Sequence, residues 1–354
     1  MTSPRALSRR TFACTLALAT AAVSSGLAAP VATAAEAVNI YSYREPGLIK
    51  PLTDAFTKAT GIATNIIYAK DGLTQRIKAE GQNSPVDVLL TVDIGRLSEA
   101  KDAGIAQPAV TDSIKADIPA EYRDPDGDWV GLSKRARVVY ASKDRVKQSD
   151  ITYAELADPK WKGKICMRSG QHTYNIGLLA SIIAHDGEKA AEKWAEGVKN
   201  NLARKPAGGD RDQVKAIYAG ECDIAIGNTY YMAAMQTSSK PEQQEWAKSV
   251  KLLFPDASGR GTHVNLSGAV LAKHAPNKAA GIKLIEFLAS KQGQEIYAEI
   301  VDEYPLKSDV KISDRVNSWG TLKSDTLPLI EIAKNRKKAS EIMDKVGFDQ
   351  GPGA

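Results

Sequence analysis

The stretch VNIYSYREPGLIKPLTDAFTKATGIATNIIYAKDGLTQRIKAEGQNSPVDVLLTVD, residues 38–93, decides the fold. VNIYSY (38–43) reads as a strand. GLIKPLTDAFTKATG (47–61) reads as a helix, because Leu48, Leu52 and Phe56 recur every four residues and Gly61 closes the run. ATNIIYA (63–69) is a second strand, LTQRIKAEG (73–81) a helix, DVLLTVD (87–93) a third strand and IGRLSEAKDAG (94–104) another helix. A chain that alternates strand and helix from its start predicts an α/β lobe built on a largely parallel sheet.

Beyond the polar EYRDPDGDW (121–129) the same alternation starts again. RARVVYAS (135–142) and KICMR (164–168) read as strands, NIGLLASIIAHDG (175–187) and EKAAEKWAEGVKNN (188–201) as helices. DRDQVKAIYAG (210–220) reads as a helix, CDIAIGN (222–228) as a buried strand and THVNLSGAVLAK (262–273) as a return to sheet. NKAAGIKLIEFLASKQGQEIYAEIV (277–301) follows as one long helix, and the tail from Ser313 is polar and helical. The expected organisation is one lobe over 35–134, a second over 135–264, and a return to the first over 265–354. Strands crossing between such lobes act as hinges around a central cleft, and ligands collect at the C-terminal ends of strands.

The first 34 residues have a basic start with Arg9-Arg10, an alanine-rich apolar middle, and small residues at Ala32-Thr33-Ala34. That is the layout of an export signal cleaved near Ala34, and SRRTF fits the twin-arginine type. Cys14 precedes most of the apolar run, which argues against a lipoprotein. The 354-residue chain has a formal charge of +5; removing Arg5, Arg9 and Arg10 leaves the mature chain at +2. So even a balance argues against a nucleic-acid binder. Two cysteines remain after cleavage, Cys166 and Cys222, and an exported pair of this kind is expected to be a disulfide.

The sequence carries no enzyme signature. His172, His185, His263 and His274 form no metal-ligand spacing, there is no GxSxG elbow or phosphate-binding P-loop, and AGGDRD (207–212) is only a weak phosphate-loop candidate. Tyrosines stand out instead. Tyr230 and Tyr231 follow the strand CDIAIGN, with Asn228 or Thr229 placed to cap the next helix, and Tyr174 follows KICMR. All three fall at strand ends. A phenol is normally neutral, with a reference pKa near 10. A trivalent cation reverses that, and phenolate is a hard anionic donor suited to Fe(III). On chemistry alone the residues leave open two readings, a ligand set or half-buried phenols with their hydroxyls at the surface. Met232 and Met235 read as core.

The segments YSYREP (41–46), DVLLTVDIGRL (87–97), RARVVY (135–140), KICMRSGQHTYN (164–175), GGDRDQVKAIYAGECDIAIGNTYYMAAM (208–235) and EYPL (303–306) resemble the periplasmic ferric-iron-binding proteins of ABC transporters. The resemblance runs in order over the whole mature chain. It implies a two-lobed type II periplasmic-binding fold with mixed sheets flanked by helices, Fe(III) in the cleft, and delivery to an ABC permease in the inner membrane. It also implies a periplasmic location, a monomer, and binding without catalysis. By the resemblance, Tyr174, Tyr230 and Tyr231 are the metal ligands. Some relatives add a His from the loop after the first strand, where this chain has Tyr43-Arg44-Glu45-Pro46. That departure points to a three-tyrosine subgroup completed by carbonate or a similar small anion, with Arg44 holding the anion through its planar fork. Glu45, Tyr140, Arg135 and Asn175 are second-rank cleft residues, Gln171 is a further candidate for orienting the anion, and Asp93 has no assigned role. Capture of an organic or oxyanion solute is the alternative on the same fold; an exported hydrolase or lyase using Tyr as base is the alternative from another class.

Overall fold

The computed structural model describes residues 37–353, so the export-signal reading, with Cys14 and the cleavage point, lies outside the described residues. Strands β1 (Ala37–Ser42), β2 (Ala63–Tyr68) and β3 (Val88–Thr91) run parallel, with β1 in the middle. The helix Pro46–Thr60 joins β1 to β2 and buries Ile49, Leu52 and Phe56, one stripe at 3–4-residue spacing. It ends at Gly61 with φ 76°, a left-handed conformation that glycine adopts without a Cβ clash.

The remaining strands are β4 (Ala106–Gln107), β5 (Val130–Ser142), β6 (Ile165–Cys166), β7 (Ile224–Asn228), β8 (Val250–Leu253), β9 (Val264–Ala272) and β10 (Tyr304–Pro305). The order across the sheet is β2-β1-β3-β9-β5-β7-β6, with β4 beside β9 and both β8 and β10 beside β5. β9 enters antiparallel to β3 and to β5, so the largely parallel lobe expected from the sequence is a mixed sheet. The thirteen-residue β5 makes the link between the two halves. It pairs with β9 from Val130 to Ala136 and then with β7 and β8 from Arg137 to Ser142. β3, β7 and β9 are buried at every position, which is why they read as continuous apolar runs.

Two helices differ from the sequence reading. The long run 277–301 breaks into Lys278–Ala289 and Lys291–Glu299 at Ser290, whose hydroxyl accepts from Gly293 N and donates to Phe287 O. A local cap thus overrides the apolar periodicity on both sides. The other helix spans Thr173–Asp186, so Tyr174 lies in its first turn instead of before it. The C-terminal helix Leu329–Lys345 packs across this helix and across Ile94–Asp102. Among the described residues no helix is long and apolar enough to cross a membrane.

Cys166 and Cys222 are bonded, with Cα atoms 5.9 Å apart, and tie β6 to the turn that leads into β7. Closing a loop of 56 residues stabilises by about 4 kcal/mol in the chain-entropy model. Replacing both by Ser should lower unfolding stability by about 2–4 kcal/mol in guanidinium titration. A loss of under about 1 kcal/mol would mean that the bond constrains the unfolded chain little.

Candidate functional site

β7 runs directly into the helix Thr229–Gln236 with no loop between them. Asn228 holds the N-cap position, but its side chain makes no capping bond, because its Oδ1 accepts from Arg137 Nη1 at 3.0 Å. The junction is braced from beneath by Tyr140, whose hydroxyl donates to Asn228 O at 2.6 Å. Gly227 permits this, since a Cβ there would lie 2.1 Å from the Tyr140 ring. Tyr140 is therefore fully buried behind β7 and does not line the cleft.

Tyr230 and Tyr231 occupy the first turn of that helix. Their rings tilt against each other with centroids 4.3 Å apart, so two adjacent phenols share one patch by stacking. Tyr174 reaches the same patch from the first turn of Thr173–Asp186, and its hydroxyl lies 2.9 Å from that of Tyr230. His172 caps this second helix, its Nδ1 accepting from Tyr174 N, and its ring meets the Tyr174 ring edge-on. Burial, then the neighbouring Arg168, pushes the His172 pKa down to about 3, so the imidazole is neutral. Two helix N-termini thus converge on three phenols, and both favour negative charge there.

These tyrosines line a cleft of about 1320 Å³ that also includes Tyr43, Arg44, Glu45, Tyr68, Arg96 and Arg211. Burial holds the Tyr230 phenol well above its ordinary pKa, and the adjacent Tyr174 and Tyr231 add to this. Tyr231 is raised for the same reasons, burial first and then Tyr174. Positive charge surrounds the rings: Arg168, Arg137 and Arg135 lie 5.4, 5.6 and 5.8 Å from the Tyr174 centroid. Arg211 lies 4.9 Å from that of Tyr231 and 3.9 Å from Glu45.

Behind the phenols, Asp210 is buried with its carboxylate fully engaged. It accepts from Arg137 Nη1 at 2.7 Å, from Arg168 Nη1 at 3.1 Å and from Asn228 N at 2.9 Å. Burial opposes its ionisation, but Arg137 and Arg168 outweigh that and hold its pKa below the usual carboxylate range. Asn175 completes the frame: its Oδ1 accepts from Arg137 Nη2 at 2.7 Å and its Nδ2 donates to the backbone of Arg168 and Ser169. Arg135 donates to Ser267 Oγ from the crossing region of β5 and β9. Asn175 and Arg135 therefore stand behind the cleft wall.

Arg44 lines the cleft but is buried, and its Nη2 donates to both carboxylate oxygens of Glu303, at 2.9 and 3.1 Å, and to Ser267 Oγ. Burial disfavours charge on Glu303, yet Arg44 and then Arg135 hold its pKa below the ordinary range. Gln171 binds the C-terminal helix through Ser340 and Asp344. Asp93 caps the helix Ile94–Asp102 and pairs with Arg336. Met232 and Met235 are core. Sequence reasoning missed Asp210, Arg168, Glu303 and Tyr68. Asp210 was visible only as part of GGDRD, and Glu303 only as part of EYPL.

Among the described residues, the acids close enough to share a cation are Asp124, Asp126 and Asp128, and Lys101 Nζ already bonds two of them. The phenol cluster is the stronger hard-donor arrangement.

The family model for bacterial extracellular solute-binding proteins matches residues 83–324. Iron uptake protein A1 of Synechocystis sp. is 44% identical over 313 residues, covering 88% of this chain and 87% of that protein. Among solved structures, the apo ferric ion-binding protein A of Pasteurella haemolytica superposes with a TM-score of 0.85 at 50% identity, covering 89% of this chain and 99% of its own. A Trichodesmium protein in complex with iron and citrate ligands superposes with a TM-score of 0.83 at 45% identity, covering 88% of this chain and 99% of its own. The two-lobed periplasmic-binding fold expected from the sequence is the fold these structures share. This chain belongs to the bacterial extracellular solute-binding protein family.

Proposed function

We propose that this chain captures Fe(III) in the periplasm through the phenolates of Tyr174, Tyr230 and Tyr231, and delivers it to an ABC permease in the inner membrane. It acts as a monomeric binding protein and not as an enzyme. The observation that carries this reading is the convergence of three phenols from two helix N-termini, with the Tyr174 and Tyr230 hydroxyls 2.9 Å apart. The names of its relatives, an iron uptake protein and ferric-binding proteins, support the same cargo.

Three phenolates neutralise Fe(III), and their hard oxygens match it. In the metal-free protein burial keeps Tyr230 and Tyr231 neutral, so metal binding must release protons. A small anion completes the coordination. Carbonate fits the charge, and citrate is the anion that accompanies iron in the Trichodesmium protein. Arg44 is the anion's first partner, with Arg168 and Arg211 also on the cleft wall. Lobes spanning 35–134 and 135–264, with a return from 265, would close over the iron by bending where β5 and β9 cross.

Adding Fe(III) as a weak chelate with bicarbonate to the metal-free mature protein should produce a phenolate-to-iron charge-transfer colour that saturates at one equivalent. Tyr230→Phe combined with Tyr231→Phe should abolish it. Arg44→Ala should weaken iron binding about 10–100-fold and remove its dependence on bicarbonate. A colourless wild-type protein that ignores Fe(III) would overturn the reading in favour of an organic or oxyanion solute. Affinity should also fall as pH drops, because protons compete for the phenolates.

The frame generates a second expectation. The folded pKa values of Asp210 and Glu303 are depressed. Each therefore contributes stability above the unfolded carboxylate value of about 4 and loses it as pH falls through the lower folded value. Melting of the metal-free protein should be nearly flat from about pH 7 to 5 and drop below about pH 4. Asp210→Ala, which strands the buried Arg137 and the partly buried Arg168, should cost about 3–5 kcal/mol at neutral pH and soften the acid drop. An unchanged acid limb in that variant would assign the drop to other carboxylates.

A further inference from the structure

Behind Tyr174, where β5 and β9 cross, lies a second cavity of about 10 Å³, lined by Arg135, Arg137, Tyr174, Asn228, His263 and Asn265. That is room for one ligand of water or monatomic-ion size. Only Tyr174 belongs also to the large cleft. Arg135, Arg137 and His263 are each no more than 2% exposed. Arg135 Nη2, Arg137 Nε and both ring nitrogens of His263 have no hydrogen-bond partner among the described residues. Several buried polar atoms of one cavity left unpaired together call for a shared partner.

The chemistry of the lining selects that partner. The nearby acceptors are already engaged: Asn265 Oδ1 by Ile94 N and Leu266 N, Asn228 Oδ1 by Arg137 Nη1, and His263 O by Arg137 N. Burial, then the guanidiniums of Arg137, Arg135 and Arg336 against a weaker pull from Asp325, keeps His263 neutral, with a pKa pushed down to about 3. One of its ring nitrogens is therefore a donor. The local charge is positive, since four guanidiniums, three of them buried, share two carboxylates. Asp210 serves Arg137 and Arg168, and Glu303 serves Arg44 and lies in the field of Arg135. A water there would compete, using the second His263 nitrogen and the remaining lone pairs of Asn228 Oδ1 and His263 O as acceptors, but the unpaired groups are mostly donors, two of them on guanidiniums. A halide needs donors alone. A polyatomic oxyanion exceeds the space.

We propose that this cavity is a binding site for a single halide ion, chloride in the cell envelope, held by Arg135 Nη2, Arg137 Nε and the N–H of His263. The ion ties β5 to the residue leading into β9 by satisfying donors from both. The three donors are not among the proposed iron ligands, although Tyr174 borders both spaces; the test uses metal-free protein, and its outcome does not depend on whether iron binds.

Crystals of the metal-free mature protein grown with bromide replacing chloride should show a bromide anomalous peak in the cavity, within hydrogen-bond reach of Arg135 and Arg137. In solution, melting in sodium chloride should exceed melting in sodium gluconate of equal ionic strength by about 2 °C or more, as expected of a ligand bound only by the folded state. Arg135→Gln should remove that difference. An ordered water with no anomalous signal would overturn the proposal. So would equal melting in the two salts, since a bromide peak without it would be binding at crystal concentration only.

Discussion

A carboxylate with no access to water must find hydrogen bonds for its oxygens inside the protein, and whatever it binds becomes fixed relative to everything else it binds. Asp210 is in that position. Its partners are Arg137 on β5, Arg168 in the segment after β6, and the backbone N–H of Asn228 at the end of β7. These are the roots of the two helices that carry the tyrosines. Asn175 then ties Arg137 back to the loop before Tyr174. This frame positions the two helices, and the hydrogen bond between the Tyr174 and Tyr230 hydroxyls sets their 2.9 Å spacing. Buried ion pairs add little net stability, but removing one partner is costly. The frame contributes position more than strength.

The phenols sit in an environment that pulls in two directions. Burial opposes their ionisation and keeps Tyr230 and Tyr231 neutral without metal. The surrounding guanidiniums and two helix N-termini favour the ionised form. A trivalent cation decides between them because its charge is the largest in the site. On the proposed reading, the phenols stay neutral without metal and ionise for a hard, highly charged ion. A divalent or softer ion offers less compensation for the same desolvation.

How much of this the sequence disclosed depended on the range of the interaction. The β-α-β-α-β start was legible because periodicity is local, and so was the strand-to-helix junction at CDIAIGNTYY. The break at Ser290 was not, since one serine's backbone bonds outweighed two apolar turns. Tyr174, Tyr230 and Tyr231 stood out because three phenols fall together past the ends of strand-like runs, and the family resemblance named them as ligands. Asp210 was hidden because nothing about an acid in GGDRD marks it as buried; its three partners come from β5, the segment after β6 and the end of β7. Tyr140, a second-rank cleft candidate that could equally pack on its strand, packs there. Its position on a crossing strand placed it near the cleft, but the space above Gly227 directs its ring beneath β7.

Arg44 shows where a resemblance stops short of a mechanism. The family pattern cast it as a guanidinium waiting for an anion, whereas its Nη2 is held by Glu303 and Ser267. An arginine has five N–H donors, so this engagement leaves part of the fork for a ligand. It also changes what the fork offers. Paired with a buried acid, Arg44 presents oriented donors with little net charge, and Glu303 rather than the anion fixes its direction. Hydrogen bonds from such a neutralised pair hold an anion more loosely than a free guanidinium would. On the proposed reading, an anion held that way can be exchanged, which suits a carrier that must surrender its cargo.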